Sequence, residues 1–135
     1  MTMEFNDKQT IYLQIVDYME EHILEGAWKG DEKIPSVRDL AVELQVNPNT
    51  VMRAYEQLQQ RGIVQNRRGV GHFIAPGAAD LIRKKRRETF IGQELPRLFR
   101  QMSLMNIRPE EVMTGYHQFT DAKNKTKNIE TDEKK

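Results

Sequence analysis

Residues 35–74 read PSVRDLAVELQVNPNTVMRAYEQLQQRGIVQNRRGVGHFI. Four devices follow one another in that run. Ser36, behind Pro35 and three positions ahead of Asp39, approximates a capping box with Asp in place of the preferred Glu. It opens a short helix, 37–44, whose inner face is Val37, Leu40, Ala41 and Leu44. Gln45 and Val46 close it. Asn47 then caps a further helix, and Pro48 takes its first position, where the missing N–H costs nothing. Val51, Ala54, Tyr55 and Leu58 line the inner face of that helix, which ends near Gly62. Two β-favouring stretches, 63–65 and 71–75, flank the turn Asn66-Arg67-Arg68-Gly69-Val70, where Gly69 can take a positive φ. Two capped helices joined by a short turn make a helix-turn-helix. The basic hairpin behind them makes it winged.

The periodicity extends this frame in both directions. Ile11, Ile15, Met19 and Ile23 recur every four residues, with Tyr12, Val16 and Leu24 widening the stripe, so a helix is expected over 11–25. Thr10 is its expected N-cap and Gly26 its stop. After Pro76-Gly77, residues 78–105 read as helix. Pro96 lies inside it and should kink or split it, since it lacks an N–H and clashes with the preceding turn. Asn106 is the expected stop. Pro109, with Glu110 and Glu111 at the positive end, starts a last short helix carrying Val112, Met113, Tyr116 and Phe119. From Asp121 onward Ala122 and Ile129 are the apolar residues, and disorder is expected. The predicted organisation is a winged helix-turn-helix domain over 1–76, a helical dimerisation segment over 77–120 and a disordered tail over 121–135. The fold class is mainly α with a small β wing.

Composition narrows the function classes. The chain has 135 residues, 38% hydrophobic and 30% charged, with a net charge of +1. That suits one small domain with an appendage, and is short for a domain with a deep catalytic cleft. A core this small favours oligomerisation. The global charge says little about nucleic acid, because local distribution decides. Arg67 and Arg68 stand together, and Arg83, Lys84, Lys85, Arg86 and Arg87 form a run, read here as a solvated helix face. Cysteine is absent, which removes disulfide and thiolate chemistry and fits a reducing compartment. MTMEFNDKQT shows no basic segment followed by an apolar one, and no apolar run reaches membrane-spanning length, so a cytoplasmic protein is expected, without a membrane partner. His22, His72 and His117 fall on different elements, giving no argument for a metal site or any other cofactor. No nucleophile with a base, phosphate loop or catalytic carboxylate pair stands out, so an enzyme is the weakest reading.

The helix that starts at Asn47 presents Asn47, Asn49, Thr50 and Arg53 opposite its apolar face. Such side chains read base edges or grip phosphates, and a helix N-terminus favours anions through its free N–H groups. Each residue alone reads as a cap, a first-turn filler or a solvated cation. Their co-location at the start of a recognition helix reverses that. Ser36 and Arg38, at the start of the preceding helix, should face the backbone. Arg67, Arg68 and Gly69 crown the hairpin, where a basic tip can enter a minor groove or follow phosphates. His72, on the outgoing wing strand, has a phosphate contact as one reading and a surface position as the favoured one. The candidate DNA contacts are therefore Ser36, Arg38, Asn47, Pro48, Asn49, Thr50, Arg53, Arg67, Arg68 and Gly69. Phe90, Ile91, Leu95, Leu98, Phe99, Met102, Met105, Val112, Met113 and Tyr116 make an apolar stripe too large for one short helical pair to hide. All of these but Ile91 are candidate dimerisation residues, and two copies would pair about a twofold axis on a palindromic site.

The run from Ile11 to Ala75 resembles the N-terminal domain of GntR-family transcriptional regulators. The matching residues are Ile11-Tyr12 with Gln14-Ile15, Gly26, Gly30, Ile34-Pro35-Ser36 with Arg38-Asp39-Leu40-Ala41, Val46, Thr50-Val51, Tyr55, Leu58, Gly62, and Gly69 with Gly71 before Phe73. The resemblance implies a dimeric winged helix-turn-helix that binds an operator. It implies DNA contacts at Arg38, Asn47, Pro48, Asn49, Thr50, Met52 and Gly69. Many members carry Arg at the positions of Pro48 and Met52, and in this chain Asn49 and Arg53 are read as the substitutes. The Asn47-Pro48-Asn49-Thr50-Val51 variant with a short C-terminal segment is similar to the YtrA subfamily, whose members resemble repressors of transporter operons. A small-molecule effector is an expected partner of unstated identity. The competing function is a winged-helix protein-interaction module whose recognition helix packs on a partner protein.

Overall fold

The structure, a computed structural model, describes residues 10–133, with side chains through residue 125. Two compact units part between Glu88 and Thr89. The first unit holds three helices and a hairpin, with a fourth helix closing it. Helix α1 spans Ile11–Leu24 and buries Ile15, Val16, Met19 and Ile23. Thr10 stands at its N-cap without a side-chain cap bond. At the other end Gly26 has φ +82°, a left-handed turn that favours glycine.

Helix α2 spans Val37–Leu44, and the Ser36 Oγ accepts the Asp39 N–H at 3.1 Å. Leu40, Ala41 and Leu44 are buried, while Val37 is half-buried. The stop is a single left-handed residue, Gln45, at φ 56°. Helix α3 spans Pro48–Gln60, and Asn47 Oδ1 accepts the Asn49 N–H at 2.8 Å. Val51, Ala54, Tyr55 and Leu58 each have no exposed surface, the inner face the periodicity predicts. Both caps satisfy helix-end donors, worth about 0.5–2 kcal/mol each.

Strands β1 (Val64–Arg67) and β2 (Gly71–Ile74) pair antiparallel, Val64 opposite Ile74 and Arg67 opposite Gly71. The turn is shorter than expected, because Asn66 and Arg67 belong to the strand. The α1–α2 connection lies along β2 as a third edge. Lys33 bridges Phe73, the Asp31 N–H donates to the Ile74 carbonyl at 2.8 Å, and the Ile34 N–H donates to that of His72 at 2.9 Å. Gly71 has φ +138°, a backbone conformation that favours glycine, so a side chain there is strained; the 2.8 Å approach a Cβ would make to the flexible end of Lys33 is a lesser obstacle.

Helix α4 spans Ala78–Thr89 and contributes Ala78 and Ile82 to the same core. The first compact unit therefore extends through Glu88, beyond the 76/77 boundary expected from Pro76-Gly77. The Arg83–Arg87 run is not wholly a solvated face. Arg86 reaches the carboxylate of Glu20 at 3.2 Å, and Arg61 reaches the same carboxylate at 3.3 Å. The Glu20 side chain is only 7% exposed. A buried carboxylate needs such partners, since an unpaired buried charge costs several kcal/mol, roughly 3–5 when one partner of a pair is removed.

In the second unit a π-helical segment, Phe90–Glu94, precedes α5 (Leu95–Met105). Its wider turn lets the Leu95 N–H donate to the Phe90 carbonyl, five residues back. The π turn ends at Glu94, immediately before Leu95-Pro96, so a widened turn stands where the sequence expects Pro96 to kink or split the helix. Asn106, left-handed at φ 56°, ends α5. Helix α6 spans Pro109–Glu133. It continues past Asp121, where the composition reads as a disordered tail. Lys and Glu are good helix formers, so a polar segment following a nucleated helix can extend it. Residues 134–135 of the expected tail, and residues 1–9 of the N-terminal domain, lie outside the described residues. No helix among the described residues is long and apolar enough to cross a membrane.

Candidate nucleic-acid interface

The recognition-helix candidates divide by what holds them. Asn47 uses its Oδ1 in the cap, so its amide NH2 is the part left to donate outward. Pro48, Asn49 and Arg53 are exposed and Thr50 is half-buried. Asn49, Thr50 and Arg53 line one shallow cleft together with Thr10, Ile11 and Tyr12 of α1. Within it the Arg53 guanidinium lies over the Tyr12 ring, 3.9 Å from the centroid. A cation on an aromatic face is held by about 0.5–1 kcal/mol at an exposed site. Arg53 is thus a braced cation and not a freely swinging one. In the sequence Tyr12 shows as part of an apolar stripe and of the family resemblance, not as a partner of Arg53. Forty-one positions separate the pair, and no local pattern announces it.

Ser36 and Arg38 stand exposed at the start of α2. That turn is anchored from α3: the buried Tyr55 hydroxyl donates to the Pro35 carbonyl at 2.6 Å. Burial, then the carboxylates of Asp39 and Glu43, push the Tyr55 pKa far above its ordinary 10, so the hydroxyl stays a donor.

On the wing the two arginines differ. Arg67 is folded back. Its guanidinium lies over the Phe73 ring at 4.0 Å and reaches Asp31 at 3.4 Å and Gln65 at 3.5 Å. Arg68 and Gly69 occupy the exposed tip, Gly69 with φ +78°, and Arg68 makes no ion pair among the described residues. The sequence does not point to Asp31 as a holder of Arg67, because Asp31 comes from the α1–α2 connection that lies along β2.

His72 is half-buried, with its ring edge-on to Tyr55 at 4.8 Å. Burial lowers its pKa from the ordinary 6.5. The folded state thus favours the neutral ring. Its contribution to stability is complete above the unfolded value and is lost as pH falls through the lowered folded value. Thermal melts from about pH 7.5 down to about pH 5 are expected to show a decline that begins near the ordinary histidine value. His72→Gln should flatten that decline; an identical pH profile in the variant would refute the assignment.

The expected dimerisation residues divide too. Phe90, Leu98, Phe99, Met105, Val112, Met113 and Tyr116 are exposed, as are Ile91, Leu104 and Phe119. Leu95 is half-buried and Met102 is 8% exposed.

Comparison with known proteins agrees with this architecture. A family profile described as "Bacterial regulatory proteins, gntR family" matches residues 11–74. The HTH-type transcriptional regulator YhcF of Bacillus subtilis (strain 168) is 36% identical over 124 residues, covering 90% of this chain and 98% of that protein. The HTH-type transcriptional repressor YtrA of the same organism is 40% identical over 88 residues, 65% of this chain and 67% of that protein. Among solved structures, a transcriptional regulator of the GntR family from Bacteroides thetaiotaomicron superposes with a TM-score of 0.68 at 41% identity, covering 84% of this chain and 99% of that one. With its capped α2–α3 pair, its basic wing and these relatives, the chain belongs to the GntR family, among its YtrA-type members, and is a DNA-binding transcriptional regulator.

Proposed function

We propose that the protein is a homodimeric repressor that binds a palindromic operator, with α3 in the major groove and the Arg68–Gly69 tip against the flanking backbone. The observation that carries this reading is the division of α3. Its inner face is wholly buried, while its N-terminal outer face holds Asn47, Asn49, Thr50 and Arg53 on a rigid support. Asn49 suits adenine, whose N6 and N7 an amide can engage bidentately. Arg53, braced on Tyr12, suits a guanine edge or a phosphate. Ser36 and Arg38 contact the backbone. Pro48 contributes its fixed first turn. Arg67 acts by holding the hairpin. The seven exposed apolar residues of the expected dimer face support the homodimer, and YtrA, the repressor similar in sequence, supports the direction of control. The transporter-operon target and a small-molecule effector belong to the same reading. A protein-interaction module is disfavoured, because Met52 is the one large apolar side chain that α3 exposes.

Gel shift with the DNA upstream of the protein's own gene, with competitor and at two salt concentrations, tests the reading. Saturable, competitor-resistant binding to a twofold-symmetric site is expected, and its absence would reject operator recognition. Arg53→Ala should abolish preference for the operator over competitor DNA while leaving the oligomer intact; undiminished preference would remove Arg53 from the recognition set. Arg68→Ala should weaken binding to all sequences and reduce the log–log salt slope by about 1 for each phosphate no longer neutralised. An unchanged slope would remove the wing tip from the backbone contacts.

A further inference from the structure

The ion-paired Glu20 lies at the edge of a cleft that the operator reading does not use. Glu20, Arg61, Ile63, Leu81, Ile82 and Lys85 line a cavity of about 420 Å3 between α1, the end of α3 and α4. That volume lies within the roughly 300–1,000 Å3 typical of small-molecule sites. Ile63 and Ile82 are buried and form an apolar floor, and Leu81 continues it outward at 47% exposed. The rim is cationic. Glu20 already has both Arg61 and Arg86 as partners, and Lys85 makes no ion pair among the described residues. An apolar floor beside one unneutralised ammonium and a solvent-accessible guanidinium is complementary to a short apolar body with a single negative head.

We propose that this cleft binds a small amphipathic carboxylate as an effector. The carboxylate head pairs with Lys85 and Arg61, and the apolar body covers Ile63, Ile82 and Leu81. Arg61 caps the C-terminal end of α3, so a head that competes with Glu20 for Arg61 loosens the attachment of the recognition helix to α1. Occupancy then lowers operator affinity. Only this last step rests on the operator reading.

The test uses the full chain, 15N-labelled and free of DNA, titrated with sodium octanoate below its micellar concentration. Saturable shifts confined to Glu20, Arg61, Ile63, Leu81, Ile82 and Lys85 are expected, with none from inorganic phosphate, which cannot use the floor. Lys85→Glu should weaken octanoate binding by about tenfold or more, as an unpaired like charge does at a recognition site. Lys85→Arg should keep it, and Leu81→Asp should lose it by removing the apolar contact. Both positions are exposed, so the fold should survive, as far-UV circular dichroism would verify. Absence of saturable shifts, shifts centred on Phe99 and Met113, or equal binding by Lys85→Glu would each overturn the site. Octanoate binding that leaves the gel shift unchanged would overturn the effector role alone. Because the titration contains no DNA, a failed operator assay does not touch its result.

Discussion

Phe99→Glu is expected to convert the protein to a monomer whose operator affinity falls by at least about a hundredfold, the order by which linked binding modules exceed single ones. Phe99 is 55% exposed, in company with Phe90, Ile91, Leu98, Met105, Met113, Tyr116 and Phe119. A monomeric soluble domain rarely leaves so many large apolar side chains uncovered. Covering one such aromatic is worth about 1.5–3 kcal/mol, and a carboxylate in its place must be desolvated without a partner. On the proposed homodimer, two half-sites bound by one linked pair would become two independent, weaker events in the variant. Analytical ultracentrifugation gives the mass, and circular dichroism should show an intact helical content. A dimer that survives Phe99→Glu would move the interface elsewhere and remove the basis for a palindromic site on this face.

Tyr55→Ala should cost about 3–5 kcal/mol of stability, the usual range for emptying a large aromatic site in a core. Tyr55 has no exposed surface and links three parts of the first unit. Its ring packs against His72 of the wing, and its hydroxyl donates to Pro35, at the entry of α2. Small domains are stable by only about 5–15 kcal/mol in total, so the variant should unfold at a much lower denaturant concentration. Tyr55→Phe keeps the packing and leaves the Pro35 carbonyl short of its donor, at a cost of about 1–3 kcal/mol. The two variants together separate volume from hydrogen bond. Equal denaturant midpoints for Tyr55→Phe and the native chain would show that the 2.6 Å hydrogen bond contributes nothing net.

Much of the DNA-binding unit is legible in the sequence because its information is local. Ser36 and Asn47 announce their helices by caps that work within three residues. The four-residue recurrence from Ile11 to Ile23 needs no partner to be seen. Asn106 ends its helix in the left-handed conformation its short amide tolerates. The candidate site is legible as a set of side chains and not as an arrangement. In the sequence Arg53 and Arg67 read as DNA-contacting cations, with nothing to show what holds either of them. Each in fact rests on an aromatic ring contributed by another segment. Two signals read differently in the sequence and in the fold, for opposite reasons. Pro76-Gly77 looks like a domain boundary, yet Ala78 and Ile82 follow it into the same core. Polar composition after Asp121 looks like a tail, yet the helix already begun at Pro109 runs on to Glu133.

Caps, turns and apolar periods thus determined by themselves that this chain makes a winged helix-turn-helix followed by an apolar helical segment, because those signals act between residues a few positions apart. Tertiary structure alone decided which other segments brace Arg53, Arg67 and Arg86, how the α1–α2 connection lies along β2 beside the wing, and how Glu20 gathers Arg61 and Arg86 beside a cleft. Most of these depend on side chains that stand tens of residues apart, which only the folded core brings within ion-pair and ring-contact distance.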